Sequence, residues 1–404
     1  MKMIKNIEGY RTYRTYGSYG TLFIICSLLL FAATITGCSS ESDSDEVPQQ
    51  KPPVEIPVEV QSLIANYNED VMPLRRAWLP PTGYELFDNA ENVIGISFTQ
   101  DGQDPKNGHF FRSSGKWRTN VEIDPSEVGT YYLYGYVPHT LNMGYSISST
   151  ATSGDNSAYS SGAVLTISNV PSIMPTDFCV VIGAKNGKND YKETEDYSVT
   201  GLRRGNFAYE AAAISDAGGG SGNFVYLLFD HLYAALSFHI RVNGDYEVLR
   251  TIKLKEIELQ SSTDDTPTKE KTTVVVTMAA NDGSTDPITN VSFTPTGENN
   301  VKTSIFHSED GYELDTDYER FTGHFMPKGV TKVFLTCTYD VYDKKGNLVR
   351  QNSKAENTIR LASLFDRFDE MRSGTRYNIY LTVHPTYMYV MSDPDLDNPE
   401  MKTE

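Results

Sequence analysis

The sequence predicts an all-β protein, and three observations predict it. Runs of five to ten residues alternate apolar and polar side chains, and a two-residue period puts successive side chains on opposite faces of a strand. Tyr is abundant, at 26 of 404 residues, and joins Thr, Val and Ile, which fit a pleated, half-buried surface. Clusters of Gly, Asn, Asp, Ser and Pro separate the runs and supply turns. Many short strands at turn-rich spacing make a sandwich or barrel.

The chain opens differently. Lys2, Lys5, Arg11 and Arg14 face one acid, Glu8, and residues 21–37, TLFIICSLLLFAATITG, hold no charge. That run falls short of the about 20 apolar residues that span a bilayer. Residues 1–37 therefore read as a secretory signal peptide. The closing ITGC looks like a lipobox, which would make Cys38 the lipidation site, carrying diacylglycerol and an acyl chain such as palmitate. SSESDSDE follows, and it resembles the acidic export signal that sends lipoproteins of Bacteroidota to the outer face of the outer membrane. Residues 38–55 make an acidic, Pro-rich tether expected to be disordered.

The formal charge is −18, and removing a leader with four basic residues and one acid leaves −21. Such a chain does not track nucleic-acid phosphates or anionic head groups. Of four cysteines, Cys26 leaves with the leader and Cys38 is the lipid site. Cys179 and Cys337 sit inside apolar runs and are expected as buried free thiols. The number excludes a disulfide scaffold.

The strands come in order. NVIGISFTQ, WRTNVEI, TYYLYGYVP, GAVLTIS and DFCVVIGA precede the Gly-rich stretch AISDAGGGSGN. ALSFHIRV, IKLKEIELQ, TTVVVTMA, NVSFTPT, VTKVFLTCTYDVYD and RYNIYLTVHP follow it. In IKLKEIELQ, Leu254, Ile257 and Leu259 lie against charged neighbours with one slip in the alternation. The glycines mark the boundary between two domains, 56–222 and 223–404. SSTDDTPTKEK reads as a long hairpin loop, and LASLFDRFDEM has the 3.6-residue spacing of a short crossover helix.

Signatures of chemistry are sparse. No HExxH, GxSxG, Walker loop or paired CxxC occurs. His231 and His239 are too far apart in sequence for typical ligand spacing. Asp393, Asp395, Asp397 and Glu404 imitate part of a calcium loop, but Asn398 stands where its Gly is needed. A solvated acidic tail is the expectation there. No catalytic residue, metal site or cofactor is expected, and the chain reads as a non-enzyme.

Four further stretches, in their order, resemble the fimbrillin family, the subunits of type V pili. They are WRTNVEIDPSEVGTYYLYGYVP, FDHLYAALSFHIRV, FMPKGVTKVFLTCTYDVYDKKGN and MRSGTRYNIYLTVHPTYMYVMSDPDLDNP. The resemblance implies two tandem transthyretin-like β-sandwich domains after the signal peptide and tether. It implies a structural or adhesive subunit of a fimbria, made as a surface lipoprotein and assembled by donor-strand exchange after Arg-directed proteolysis. Its partners would be other pilus subunits, the outer membrane through Cys38, a trypsin-like maturation protease, and a host or bacterial surface ligand.

The parts implied can be located. A removable first strand lies in VEIPVEVQSLIANY, and Arg75 and Arg76 follow it in MPLRRAWLPP as the processing site. The donor strand is PTYMYVMSD: Tyr387, Tyr389 and Met391 share one side, Met388 and Val390 the other, and Pro385 is expected to break it from the preceding strand. Apolar residues on both sides suit a strand buried on both faces. Two other readings compete: a surface glycan-binding lipoprotein of a polysaccharide-uptake system, and a pilus anchor subunit that keeps its lipid and is not cut.

Overall fold

Strand-forming sequence dominates the computed structural model, which describes residues 60–64, 69–71, 93–113, 116–121, 129–153, 156–186, 203–211, 225–264, 266–281, 283, 286–300, 302–365, 368–386 and 395–403. In chain order the strands are β1 (Val60–Ile64), β2 (Glu69–Val71), β3 (Val93–Thr99), β4 (Lys106–Ser113), β5 (Lys116–Thr119), β6 (Gly129–His139), β7 (Gly144–Ser149), β8 (Thr152–Ser153), β9 (Asn156–Ser157), β10 (Gly162–Pro171), β11 (Ile173–Met174) and β12 (Cys179–Asn186). They continue as β13 (Ala208–Ala211), β14 (Val225–His231), β15 (Ala234–Val242), β16 (Arg250–Thr263), β17 (Thr266–Pro267), β18 (Lys269–Ala279), β19 (Ile288–Asn299), β20 (Thr303–Leu314), β21 (Glu319–Phe325), β22 (Lys332–Asp343), β23 (Leu348–Arg360), β24 (Thr375–Thr386) and β25 (Asp395–Thr403). The all-β class is therefore correct.

Four large sheets result. The first runs β1-β14-β12-β6-β3-β4-β5 with β13 beside β6, and the second runs β19-β18-β10-β7. The third runs β11-β21-β15-β24-β2 with β25 on β24, and the fourth runs β17-β16-β22-β23 with β20 on β16. Strand alternation drives the pairing of layers. In β18, Thr272, Val274, Val276 and Met278 are buried while the residues between them are half-exposed. Val274, Val276 and Met278 meet Tyr134, Leu165, Ile167, Val180 and Ile182, so the first and second sheets share a core. A separate core joins the third and fourth sheets through residues such as Leu236, Phe238, Ile257, Leu335 and Ile379.

The sheets do not follow the chain in two clean halves. β14 begins just after the 222/223 boundary and joins the first sheet, pairing antiparallel with β12. The β18–β19 hairpin comes from still later in the chain, yet it completes the second sheet through β10. All described residues belong to one compact unit, Pro52–Glu404.

Several local expectations are corrected. The slip in IKLKEIELQ is a β-bulge: the register of β16 shifts between Leu254 and Glu256 against both neighbours. The extra residue lets Leu254, Ile257 and Leu259 all reach the core at 0% exposure. SSTDDTPTKEK holds no long loop, because β17 folds back on the end of β16 through a turn at Asp264, whose φ is 50°. The helix in LASLFDRFDEM shrinks to one turn, α1 (Leu361–Leu364). Its apolar residues still pack on the core, where Leu361, Phe365 and Met371 are buried, so burial and not helicity accounts for their spacing. Pro385 does not end its strand, since β24 runs through it to Thr386. It sits at a register break between His384 and Thr386, the kind of irregular position in a sheet that a residue without an N–H can occupy. The acidic tail is ordered as β25, antiparallel to β24. Cys179 and Cys337 are buried free thiols, as expected.

Candidate assembly edges

Two edges of the structure carry the elements that flank the expected processing and donor segments. The residues singled out in those segments, Cys38, Arg75, Arg76, Tyr387, Met388, Tyr389, Val390 and Met391, lie outside the described residues. What is described is the chain up to residue 71 before the arginines, and residues 386 and 395 on either side of the donor segment.

The first edge is β14. Its inner neighbour is β12, and its outer neighbour is β1, which lies parallel to it from Val60 opposite Val225 to Ile64 opposite Phe229. Val225, Leu227 and Phe229 are buried in a core with Ile96, Phe98 and Leu133, so the backbone covered by β1 belongs to a strand anchored by its own side chains. The far end of β14 is tied down by charge. Arg204 reaches Asp230 at 2.7 Å and Asp286 at 3.1 Å. Partial burial works against the guanidinium charge, but the two carboxylates more than offset it and hold Arg204 above its ordinary range.

The second edge is β24. β15 lies parallel to it on the inner side, from Ala235 opposite Arg376 to Val242 opposite Val383. Its outer side is divided. β2 pairs with Thr375–Tyr377, and β25 pairs from Leu381 to Thr386. Among the described residues, no strand pairs with this side at 378–380. Tyr377, Ile379, Leu381 and Val383 turn into the core of the third and fourth sheets. On the opposite face His239 stacks on Tyr380 at 4.5 Å, His239 Nε2 donates a hydrogen bond to Asn378 Oδ1 at 3.0 Å, and Arg241 caps the Tyr318 ring at 4.5 Å.

β1 and β2 thus cover edges of two different sheets, and only four residues separate them in sequence. The removable strand expected in VEIPVEVQSLIANY corresponds to β1; sequence reading missed β2, whose three residues, EDV, lack any alternation.

Among the described residues, many tyrosines are spent on the interior. Tyr131, Tyr134, Tyr136, Tyr209, Tyr233, Tyr246, Tyr339 and Tyr380 are among the largest fully buried side chains. Two of their hydroxyls find backbone acceptors: Tyr134 donates to the Tyr159 carbonyl at 2.7 Å and Tyr233 to the Pro171 carbonyl at 2.8 Å. Among the described residues, Tyr312 is the one exposed aromatic. A surface concavity of about 490 Å³ is lined by Phe98, Gln100, Gln103, Asp104, Pro105, Lys106 and Tyr131, with no nucleophile and base side by side.

No family model matches the chain, and no curated protein matches it. Among solved structures, a protein of Bacteroides fragilis provisionally named a cell adhesion protein aligns at a TM-score of 0.32 and 13% identity, covering 86% of this chain and 97% of that one. A protein of Bacteroides uniformis with the same provisional name aligns at 0.32 and 12%, covering 87% and 97%. The fimbrial anchor protein Mfa2 of Porphyromonas gingivalis aligns at 0.24 and 12%, covering 85% and 95%. At these scores the superpositions carry no weight for fold or function, and the all-β class rests on the strands themselves.

Proposed function

We propose that the chain is a fimbrillin-type pilus subunit whose N-terminal segment is a removable cover. One observation carries this reading. Everything described before Arg75 is two short strands, each laid on the edge of a different sheet. A cut after Arg75 or Arg76 would separate both from the rest of the chain. Five residues of β1 and three of β2 would then be held without covalent support. Their loss would bare a row of backbone N–H and C=O groups on β14 and at Thr375–Tyr377 of β24. An incoming strand restores those hydrogen bonds and covers the apolar residues beneath, which is β-augmentation. Residues 387–391 of another copy are the proposed donor.

The rest of the reading follows the same logic. Cys38 is the proposed lipid anchor, the acids after it the address to the cell surface, and the role structural and not catalytic. The proposed first sandwich is the first two sheets, including the borrowed β18–β19 hairpin, and the proposed second is the third and fourth; a transthyretin-like topology within each belongs to this proposal. The neighbours' names point the same way but add no weight at their TM-scores. The glycan-binding alternative is disfavoured by the burial of the tyrosines that would have formed its platform.

The test is the N-terminus of protein sheared from the cell surface, read by mass spectrometry. A start at Arg76 or Ala77, together with polymer ladders lost in an Arg75→Ala/Arg76→Ala variant, is the expected result. An acylated Cys38 on all surface protein would replace it with the uncut anchor subunit.

A further inference from the structure

Away from both edges, the fold gathers three metal-ligating side chains that sequence spacing keeps apart. Asp177, Cys179 and His231 are buried and bring Oδ2, Sγ and Nδ1 within 4.8 Å of one another. Asp177 lies two residues before Cys179, the first residue of β12. His231 is the register partner of Cys179 across β12 and β14. Asp177 Oδ2 lies 2.6 Å and Cys179 Sγ 3.5 Å from the same atom, His231 Nδ1.

That convergence decides between two chemistries. A nucleophilic triad strings its thiol and carboxylate on opposite nitrogens of the imidazole, so that a proton can pass through the ring. Here both face one nitrogen, and no relay is possible. Three buried donors of different kind within 4.8 Å of one another fit a single ion instead. Nitrogen, oxygen and sulfur together are the donor set of zinc and similar borderline divalent metals. Bond lengths of about 2.0–2.3 Å place tetrahedral ligand atoms about 3.3–3.7 Å apart. The thiol–imidazole distance already matches, and the carboxylate needs to withdraw by only about 0.7 Å.

A second observation points to the same ligand. His324 is 6% exposed, and its Nδ1 is buried with no hydrogen-bond partner. Its strand, β21, pairs with β11 at Met174, three residues before Asp177. Its charged neighbours are Asp177, His231 and Arg376. Arg376 is the one cation in this set and is 8% exposed. A divalent ion with one thiolate and one carboxylate is neutral, so Arg376 faces no net positive site.

We infer that Asp177, Cys179 and His231 form a structural site for a divalent metal of the zinc class on β12 and β14 of the first sheet, and that His324 of β21 in the third sheet, outside the 4.8 Å cluster in this structure, moves in as the fourth ligand. On binding, the Cys179 thiol gives its proton to solvent, the His231 proton resides on Nε2, and the ion takes both lone pairs. Because all four ligands are buried, loading accompanies folding. Nothing in this inference depends on the assembly reading.

The test is refolding of the full chain in Co²⁺ with a phosphine reductant. The expected result is one equivalent of tetrahedral cobalt with thiolate-to-metal charge-transfer absorption, bleached one-for-one by Zn²⁺. Cys179→Ser removes the charge-transfer band, Cys337→Ser keeps it, and His324→Gln weakens cobalt binding about tenfold or more. Native mass spectrometry of the unmutated chain with Zn²⁺ provides a readout that no variant has to survive. An unmutated chain that folds without taking up stoichiometric metal overturns the inference, as does a charge-transfer band that persists in Cys179→Ser. In either case the cluster is a buried hydrogen-bonded knot only.

Discussion

Val60 sits opposite Val225 in a parallel ladder that continues in register to Ile64 and Phe229. Neighbouring strands lie about 4.8 Å apart, within reach of a disulfide. A Val60→Cys/Val225→Cys chain is expected to form one on oxidation. After trypsin-like cleavage at Arg75 or Arg76, the oxidised protein should retain its N-terminal peptide on a non-reducing gel and fail to polymerise. Reduction should restore polymers. Polymerisation of the oxidised, cleaved protein at the parent rate would remove β1 from the mechanism.

The outer side of β24 gives a second prediction. Deleting residues 395–404 uncovers its ladder from Leu381 to Thr386. Unpaired strand edges recruit other chains. The truncated protein is expected to associate, seen as concentration-dependent mass in light scattering. A strictly monomeric truncation would show that β25 does not guard this edge.

Strand contact in the first sheet is close enough to demand glycine at 135. A Cβ there would stand 2.3 Å from the Gly95 carbonyl oxygen on the adjacent strand. Backbone cannot yield as a side-chain tip can, so Gly135→Ala should destabilise by about 3 kcal/mol or more, at the upper end of overpacking effects. Urea midpoints at constant m-value measure it. A change under about 1 kcal/mol would mean β3 and β6 can part without loss.

How much of this was legible follows from what each residue pattern reports. β6, β10, β16 and β18 were readable because Val, Ile, Leu and Tyr alternate in them with turns at both ends. β20 and β23 were not, because TSIFHSEDGYEL and LVRQNSKAENTIR are largely polar, the first half-exposed and the second mostly exposed. They take their conformation from the ladder of the strand beside them. The stretch FDHLYAALSFHIRV looked like the opening strand of a second domain, yet its first half closes β14 in the first sheet and its second half is β15 in the third. Only long-range pairing separates the two. The Asp177–Cys179–His231 cluster was invisible for the same reason: His231 is 54 positions from Asp177 and meets it only across a ladder.

Cys337 supplies a pH prediction. Burial pushes its thiol up to about 12, from an ordinary value of 9.0. Below pH 9 both folded and unfolded chains hold the proton, and stability does not depend on this group. As pH rises from 9 towards 12 the unfolded chain releases it while the folded chain does not, so stability falls. Each pH unit is worth about 1.4 kcal/mol. Tyr145 and Tyr339, pushed up to about 12 by burial as well, add slopes of the same sign, so the comparison must be with Cys337→Ala. That variant is expected to be less stable than the parent at pH 8 through its cavity, and to close the gap by about 2 kcal/mol at pH 10.5. Urea unfolding under reductant at the two pH values measures it. Parallel losses in both proteins would mean the thiol ionises without unfolding.

The parallel pairing of β15 with β24 has a mechanical side. β15 comes early in the second half of the chain and β24 near its end, and eight residues of each lie in register. When the two ends of the chain are pulled apart, the start of β15 and the end of β24 are drawn in opposite directions along one axis. The hydrogen bonds between them are then loaded in shear, all together, whereas a hairpin pulled from its open end unzips one bond at a time. A protein wired in this way holds under tension along its length for longer than its equilibrium stability alone would suggest.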